Sequence, residues 1–239
     1  MTTKLLNSLA AATTLAGVML TAGVANAASF TRTASTEFAH TNFTDKLLRI
    51  EKFDSSLGTL NSVYLDFTGD VTGDAGFENT GDGALTVTVK LGAEIDLTSS
   101  DVDLSDFFPI NPKSDQTYEV TAFDGIRDFD GTSGRTVEGL TAKEPIPTIT
   151  FTDAADLAVF TGTGYLDFFL SAKAESNVIG SGNMASFVTT LAKANLKVTY
   201  NYDELKTVPE PSALLGIGLF AGIGVLSQRK KSWFKISHS

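Results

Sequence analysis

Apolar and polar residues alternate along most of this 239-residue chain, and this two-residue period is the feature that most restricts its fold. Val63, Leu65 and Phe67 are separated by Tyr64 and Asp66, and the same period returns over residues 85–97 and 196–202. Successive side chains of a strand point to opposite faces of a sheet, so the pattern predicts half-buried strands. These runs are also rich in Val, Thr, Phe and Tyr, which strands favour.

Clusters of Gly, Asp, Asn and Ser separate the runs and predict tight turns. The predicted turns are Gly69-Asp70, Gly73-Asp74, 79–83, 131–134 and 180–183. Two short stretches, 100–108 and 153–160, predict helices. Because strands joined by tight turns pair antiparallel, we expect an all-β fold. The expected architecture is an antiparallel β-sandwich of the jelly-roll or immunoglobulin-like type, in one domain over residues 28–205.

The first 27 residues have the order of a secretory signal peptide. Lys4 precedes an apolar stretch over residues 5–24, and the small residues Ala25 and Ala27 stand before the predicted cut. We therefore predict an N-terminal signal helix that signal peptidase removes after Ala27. The alternative is a buried N-terminal helix, which the many small and hydroxyl residues disfavour.

The end of the chain, residues 206–239, combines three features in a fixed order. Val208, Pro209, Glu210 and Pro211 come first, an apolar Gly-rich stretch follows at about 212–227, and Arg229, Lys230 and Lys231 close it. The two prolines keep the motif extended, which is the shape a protease binds. The apolar stretch predicts a short hydrophobic helix, below the roughly 20 residues that span a bilayer comfortably. The three cations would stay on the cytoplasmic side and leave the body outside.

This tripartite end resembles the PEP-CTERM sorting signal. The resemblance implies a transient membrane anchor that is cut by an exosortase, in bacteria that commonly make extracellular polysaccharide. The residues after 231, which include Trp233, prolong the tail beyond the usual pattern. The alternative is a membrane helix that is never cut, and both readings locate the body outside the cytoplasm.

A second resemblance covers nearly the whole body. Residues 47–63, with Phe53-Asp54 and the run 57–60, are similar to the FD-x-x-LGTL-x-x-V signature of the choice-of-anchor E family. Further matching segments are Glu78-Asn79, 128–136, 162–164, 180–183 and 198–202. The resemblance implies an exported domain whose relatives differ in how they are fastened to the cell surface. It implies no common activity and no catalytic residues.

The charge of the body excludes some partners. The segment between the two ends, through Glu210, holds 13 basic and all 28 acidic residues, a net charge of −15. Such a surface repels nucleic acid, so we expect no nucleic-acid partner. Cysteine is absent, which excludes disulfides, thiolate metal sites and a thiol nucleophile.

The body contains one histidine, His40, for which we expect a structural or solvent-facing role in or beside an early strand. Four acids along one run, Asp66, Asp70, Asp74 and Glu78, have the context of solvated surface carboxylates. Paired carboxylates could hydrolyse glycosidic bonds, but nothing in the pattern singles out a pair. We therefore expect no enzymatic activity.

Calcium is the one cofactor that the sequence suggests. Asp124, Asp128 and Asp130 are the weak candidate ligands, because loops dense in Asp and Gly offer the oxygens that this ion prefers. The run departs from the EF-hand pattern, since the twelfth position counted from Asp128 is Gly139 and not Glu. A polar hairpin turn is the favoured alternative.

These observations predict an exported, exosortase-processed cell-surface or extracellular-matrix protein without catalytic activity. The alternative is a carbohydrate-binding module for exopolysaccharide, and a carboxylate-based glycoside hydrolase is a weaker one. The expected partners are signal peptidase, an exosortase, the membrane through the C-terminal segment and extracellular polysaccharide.

Overall fold

The computed structural model describes residues 13–19, 27–105 and 107–205. Apart from Leu205, these residues belong to one compact unit that ends at Glu204. They form twelve strands and one helix: β1 (Thr13–Met19), β2 (Ala27–Ser35), β3 (Ala39–His40), β4 (Phe43–Glu51), β5 (Gly58–Asn79), β6 (Leu85–Ser99), β7 (Lys113–Val120), β8 (Gly134–Pro145), β9 (Ile149–Phe151), α1 (Ala154–Phe160), β10 (Tyr165–Ala174), β11 (Asn177–Gly180) and β12 (Met184–Glu204).

The strands form two antiparallel sheets, which confirms the predicted all-β class and is consistent with a β-sandwich. The first sheet has the order β1-β2-β12-β5-β8, with β3 beside β12 and β9 beside β5. The second has the order β11-β6-β10-β4, with β7 beside β6. His40 lies in β3, opposite Leu191, as expected for a residue in an early strand.

The two longest strands, β5 and β12, form the centre of the first sheet. They pair over their full length, from Asn79 opposite Met184 to Gly58 opposite Glu204. The alternation seen in the sequence follows the two faces, because Val63, Leu65 and Phe67 are buried while their neighbours are not.

An aromatic cluster fills one end of the space between the sheets. The rings of Phe30 and Phe53 have centroids 6.0 Å apart, and each lies 5.1–6.1 Å from the rings of Tyr200 and Tyr202. The buried Tyr200 hydroxyl donates to the carbonyl of Glu51 at 2.8 Å, which gives this polar atom a partner in the core. Burial is the main reason that the pKa of Tyr200 is raised; the charge of Arg32 opposes the rise and that of Glu51 adds to it.

Phe53 and Asp54, which lie in the segment 47–63, have structural roles. Phe53 is fully buried, and its amide donates to the carbonyl of Phe160 at 2.8 Å. Asp54 accepts a hydrogen bond from the amide of Ser56 at 2.8 Å, as an Asx turn requires. Phe53 is therefore part of the aromatic cluster, and Asp54 stabilises the turn before β5.

One of the two predicted helices is confirmed and the other is wrong. Helix α1 occupies Ala154–Phe160, within the predicted stretch. The described part of 100–108 forms bends and a turn instead. Ser99 Oγ accepts from the amides of Asp101 and Val102, both at 3.2 Å. Side chains that bond nearby amides in this way compete with a helix.

Two predicted turns are also wrong, because β5 runs without a break through Gly69 and Gly73. A Cβ on Gly69 would stand 2.7 Å from Cδ1 of both Ile95 and Ile110. A Cβ on Gly73 would stand 2.0 Å from the carbonyl oxygen of Thr189. These glycines are therefore needed for close packing within a strand rather than for a turn.

The predicted signal helix is wrong where the structure describes it. Thr13–Met19 form the strand β1, which pairs antiparallel with β2 from Thr13 opposite Ala34 to Met19 opposite Ser29. Thr13, Thr14 and Val18 are β-branched and suit a strand, and β2 offers an otherwise open edge for pairing. The rest of the predicted signal peptide, with Ala25, lies outside the described residues, whereas Ala27 begins β2.

Within the described ranges, no helix combines the length and the apolar character that crossing a membrane requires. The predicted C-terminal helix at 212–227, the motif Val208–Pro211 and the basic residues 229–231 all lie outside those ranges.

Candidate functional site

Three connecting segments meet at one end of the first sheet, where β5 ends and β12 begins. We call residues 80–84, 121–133 and 181–183 the loop end. The amide of Thr80 donates to the carbonyl of Asn183, and the amide of Phe123 donates to the carbonyl of Gly81, both at 2.9 Å. The three segments are thus tied to one another and to the central strand pair.

Glu78, the second-last residue of β5, has a fully buried carboxylate. One of its oxygens accepts from the amide of Phe129 at 2.8 Å, and the other accepts from the hydroxyl of Ser133 at 2.5 Å. A buried carboxylate without partners would be strongly unfavourable, so these bonds are what makes the burial tolerable. Glu78 is therefore a structural residue that holds the loop 121–133, and its assignment as a solvated surface acid is wrong.

Asn79, the next residue, is also buried, and both polar atoms of its side-chain amide form hydrogen bonds. The side-chain nitrogen donates to the carbonyls of Gly83 and Thr121 at 2.7 Å, and the oxygen accepts from the amide of Gly81 at 2.9 Å. Two adjacent buried polar residues break the strand's alternation. That break, together with the resemblance at Glu78-Asn79, is the signal in the sequence that could have identified both residues.

The candidate calcium ligands lie in the loop end, where their carboxylates or carbonyls accept hydrogen bonds that stabilise its turns. Asp124 Oδ1 accepts from the amide of Ile126 at 3.0 Å, and Asp128 Oδ1 accepts from the amide of Asp130 at 3.1 Å. The carbonyl of Asp130 accepts from the amide of Gly134 at 3.1 Å. In the described part of the chain, no group of three or more His, Asp or Glu side chains is placed to hold one metal ion.

A polar pocket of about 550 Å³ opens beside this loop. Its walls are residues 118–120, 128–132 and 134–136, from β7, the loop end and β8. The guanidinium carbon of Arg135 lies 4.9 Å from the ring centroid of Tyr118, in a cation–π contact. The volume is in the range of small-ligand sites, and the pocket offers carboxylate, hydroxyl and guanidinium groups for polar recognition. Sequence reasoning missed Tyr118 and Arg135, which lie on strands that the alternation alone does not bring together.

Apolar side chains also emerge at the loop end. Phe123, Ile126 and Phe187 are exposed. The ring of Phe187 lies over the backbone of Gly76 and meets the ring of Phe129 edge to face, with 5.2 Å between centroids. This end of the molecule therefore presents aromatic surface next to a polar pocket.

The carboxylates whose pKa values shift lie elsewhere. The pKa values of Asp54 and Asp103 are lowered, mainly by hydrogen bonds from the amides of Ser56 and Ser105. For Asp66, burial acts to raise the pKa, but hydrogen bonds from Lys197 and Thr148 and the charge of Lys197 outweigh it and lower the pKa. A general acid for glycoside hydrolysis would need the opposite direction.

Comparison with known proteins gives little additional information. No family model and no curated protein matches the chain. Among solved structures, a chain in the structure of infectious bursal disease virus strain Gx is 13% identical, with a TM-score of 0.13 over 86% of this chain and 50% of that one. A chain in the T=1 particles derived from that virus is 13% identical, with a TM-score of 0.16 over 74% of this chain and 36% of that one. The chain thus spans half or less of these viral chains.

Proposed function

We propose that the chain is an exported cell-surface or extracellular-matrix protein, whose acidic β-sandwich of the jelly-roll or immunoglobulin-like type works through its surface and not by catalysis. In this proposal signal peptidase cuts after Ala27, and an exosortase cuts near Val208–Pro211. Arg229, Lys230 and Lys231 hold the apolar stretch at the membrane until then. The proposal also includes that the body is a domain of the choice-of-anchor E type.

The observation that carries the proposal is the order of the tail: an extended Pro-Glu-Pro motif, a short apolar stretch and a basic end. Each part has a physical role, respectively a segment that a protease can bind, a transient membrane contact and an orientation signal. The net charge of −15 between the two ends supports a body that stays soluble outside the membrane.

The pairing of β1 shows what the proposed cleavage after Ala27 would remove from the first sheet. β1 pairs only along the outer side of β2, while the other side of β2 pairs with β12 at nine positions from Ala27 to Ser35. Removal of residues 1–27 would therefore uncover one sheet edge and leave β2 attached to the central strands. The cut after Ala27 is in this sense compatible with a folded body.

Mass spectrometry of the protein recovered from the cell envelope tests the proposal. We expect an N-terminus at Ala28 and a C-terminus near Pro211. Recovery of the full chain from the cytoplasm of wild-type cells, with both ends intact, would contradict it.

The second candidate function is binding of extracellular polysaccharide, and the pocket at the loop end favours it. Tyr118, Arg135 and the neighbouring Asp and Thr side chains are the kinds of group that bind sugar hydroxyls and ring faces. In titration calorimetry with exopolysaccharide from the host, we expect the variant Tyr118→Ala to lose about tenfold or more in affinity. Tyr165→Ala is the matched control, since Tyr165 is exposed on β10, outside the pocket lining. No heat with the wild-type protein would reject this candidate.

A further inference from the structure

The strand β2 has two differently occupied sides. The amide of Thr36, just after β2, donates to the carbonyl of Ala194 on β12 at 3.0 Å, in the same register as the strand. Because backbone groups of successive residues point to alternate sides of a strand, the N–H and C=O groups of Ser29, Thr31 and Thr33 point away from β12. This is the side on which β1 pairs.

The edge that β1 covers lacks the devices that usually prevent strand pairing. The sequence of β2 contains neither Pro nor Lys, and its register with β12 has no bulge. Its one charge, Arg32, is compensated, because Nε of Arg32 lies 3.0 Å from Oε2 of Glu51. A second strand can therefore approach this edge without meeting an unpaired charge.

We propose that removal of residues 1–27 uncovers the outer edge of β2, and that a second copy of the exported chain pairs with it, β2 against β2. The pairing is antiparallel, as two-fold symmetry requires, and it occupies the place that β1 holds in the full chain. The proposal rests on the proposed signal cleavage.

The sequence of β2 suits pairing with itself. A register centred on Thr31 sets Thr31 against Thr31 of the second copy and Ser29 against Thr33 of the second copy. Hydroxyl side chains directly opposite each other form favourable cross-strand pairs. The same register sets Phe30 against Arg32 of the second copy, which keeps the two Arg32 side chains from standing directly opposite each other.

Net charge sets the strength of this contact. Each body carries −15, so two copies repel each other at low ionic strength, and salt screens the repulsion. An interface made of one strand edge is small, which makes the association weak. We therefore expect dimers at high protein concentration that strengthen as salt is added.

Sedimentation velocity, in one detergent buffer, tests the proposal on three preparations. These are the full chain with residues 1–27 intact, the exported form whose N-terminal mass begins at Ala28, and the full-chain variant Leu15→Pro, in which proline disrupts β1. The intact full chain should remain monomeric at all concentrations. The weight-average mass of the other two should rise with concentration toward that of a dimer, and more so in high salt.

Two variants at one position decide whether the edge is responsible. In the exported form, Thr31→Pro removes an edge N–H, whereas Thr31→Ala keeps it and removes the same hydroxyl. We expect about tenfold weaker dimerisation for Thr31→Pro and little change for Thr31→Ala. Equal dimerisation of both variants, or a monomeric Leu15→Pro chain, overturns the proposal. An exported protein that keeps residues 1–27 would reject the proposed cleavage alone, because Leu15→Pro still reports on the edge.

Discussion

Gly134, at the scale of single residues, shows how tightly the loop end is built. A Cβ at this position would stand 2.1 Å from Oε2 of Glu78 and 2.8 Å from the amide nitrogen of Asp130. The buried carboxylate and the backbone of the loop therefore leave space for glycine only.

We expect Gly134→Ala to lower the free energy of unfolding by about 1–3 kcal/mol, since the added methyl group must displace a bonded carboxylate or backbone. Urea unfolding measures the change. Gly83→Ala in the neighbouring segment is the matched control, because nothing lies within 4 Å of its Cβ position. Equal stability of the two variants would show that the packing around Glu78 is loose.

Replacing Glu78 itself should have a larger effect. Glu78→Ala leaves the amide of Phe129 and the hydroxyl of Ser133 without their acceptors. We expect a loss of about 2–4 kcal/mol in urea unfolding, because each buried unpaired group costs about 1–3 kcal/mol. Glu138→Ala, at an exposed position of β8, should change stability little. A loss no greater than that of the control would contradict the assigned role of Glu78.

Asp66 gives a prediction about pH. Its lowered folded-state pKa means that Asp66 stabilises the fold above its unfolded pKa of about 3.9, and that this stabilisation is lost as the pH falls through the lower folded value. Asp66→Asn should therefore cost about 0.5 kcal/mol at pH 7, as for other exposed ion pairs. The difference should be smaller at pH 2 than at pH 7.

Urea unfolding of both proteins at the two pH values checks this. Asp82→Asn, at an exposed loop position, is the control and should show no such pH-dependent gap. A gap for Asp66→Asn that grows on acidification would have the wrong sign and reject the prediction.

At the scale of strands and loops, we expect β5 and β12 to be the elements most resistant to local unfolding. They pair over their full length, and each has a second neighbour, β8 for β5 and β2 for β12. In the connection after β6, Ile110 is buried and exchanges two backbone hydrogen bonds with Ile95. The turn at 103–105 is closed instead by a bond from the amide of Ser105 to the side chain of Asp103.

Hydrogen exchange followed by mass spectrometry should show this order directly. We expect the slowest exchange in the middle of β5 and β12, and exchange at least about a hundredfold faster in residues 103–105, which can open locally. Protection of 103–105 equal to that of β12 would contradict the order. In the same experiment, β1 should be less protected than β2 and β12, because among the described strands it has a neighbour on one side only and they have neighbours on both.

The same elements show what sequence patterns can predict. Alternation correctly predicted the strands around Val63, Leu85 and Leu196, since a period of two has one structural meaning. It could not separate Gly69 and Gly73 from turn glycines, because the atoms that crowd them belong to β6, β12 and the 109–112 connection, far away in the chain. The failed helix at 100–108 is similar, because Ser99 and Asp103 direct the backbone through local bonds that compete with helical ones.

At the scale of the whole molecule, charge dominates. A net charge of −15 destabilises the compact state by self-repulsion, so added salt should raise the melting temperature by a few degrees. Because the candidate calcium ligands Asp124 and Asp128 already accept turn hydrogen bonds, NaCl and CaCl₂ at equal ionic strength should have the same effect.

Differential scanning calorimetry in both salts measures this. An extra rise with calcium that disappears in Asp128→Asn would instead establish a calcium site in the loop end. Loss of the same extra rise in Asp153→Asn, at an exposed position before α1 and outside the loop end, would indicate general screening and not a site.

The candidate site was predictable only in part. The sequence marked the loop 124–134 through its Asp and Gly residues, and the structure brings this loop against Glu78 and Asn79. The pocket needs Tyr118 from β7 and Arg135 from β8, which come together only because β7 pairs with β6 and β8 pairs with β5. Contacts of this kind depend on how the two sheets stack, and no local pattern encodes that.

The length of β12 has a mechanical consequence. One strand of 21 residues begins at the loop end and finishes at Glu204, a contour length of roughly 65 Å. A pulling force applied between the two ends of this strand would act parallel to it. The hydrogen bonds to both neighbouring strands would then be loaded together in shear, and not broken one after another. Under the proposed anchoring, the body would therefore resist tension applied along β12.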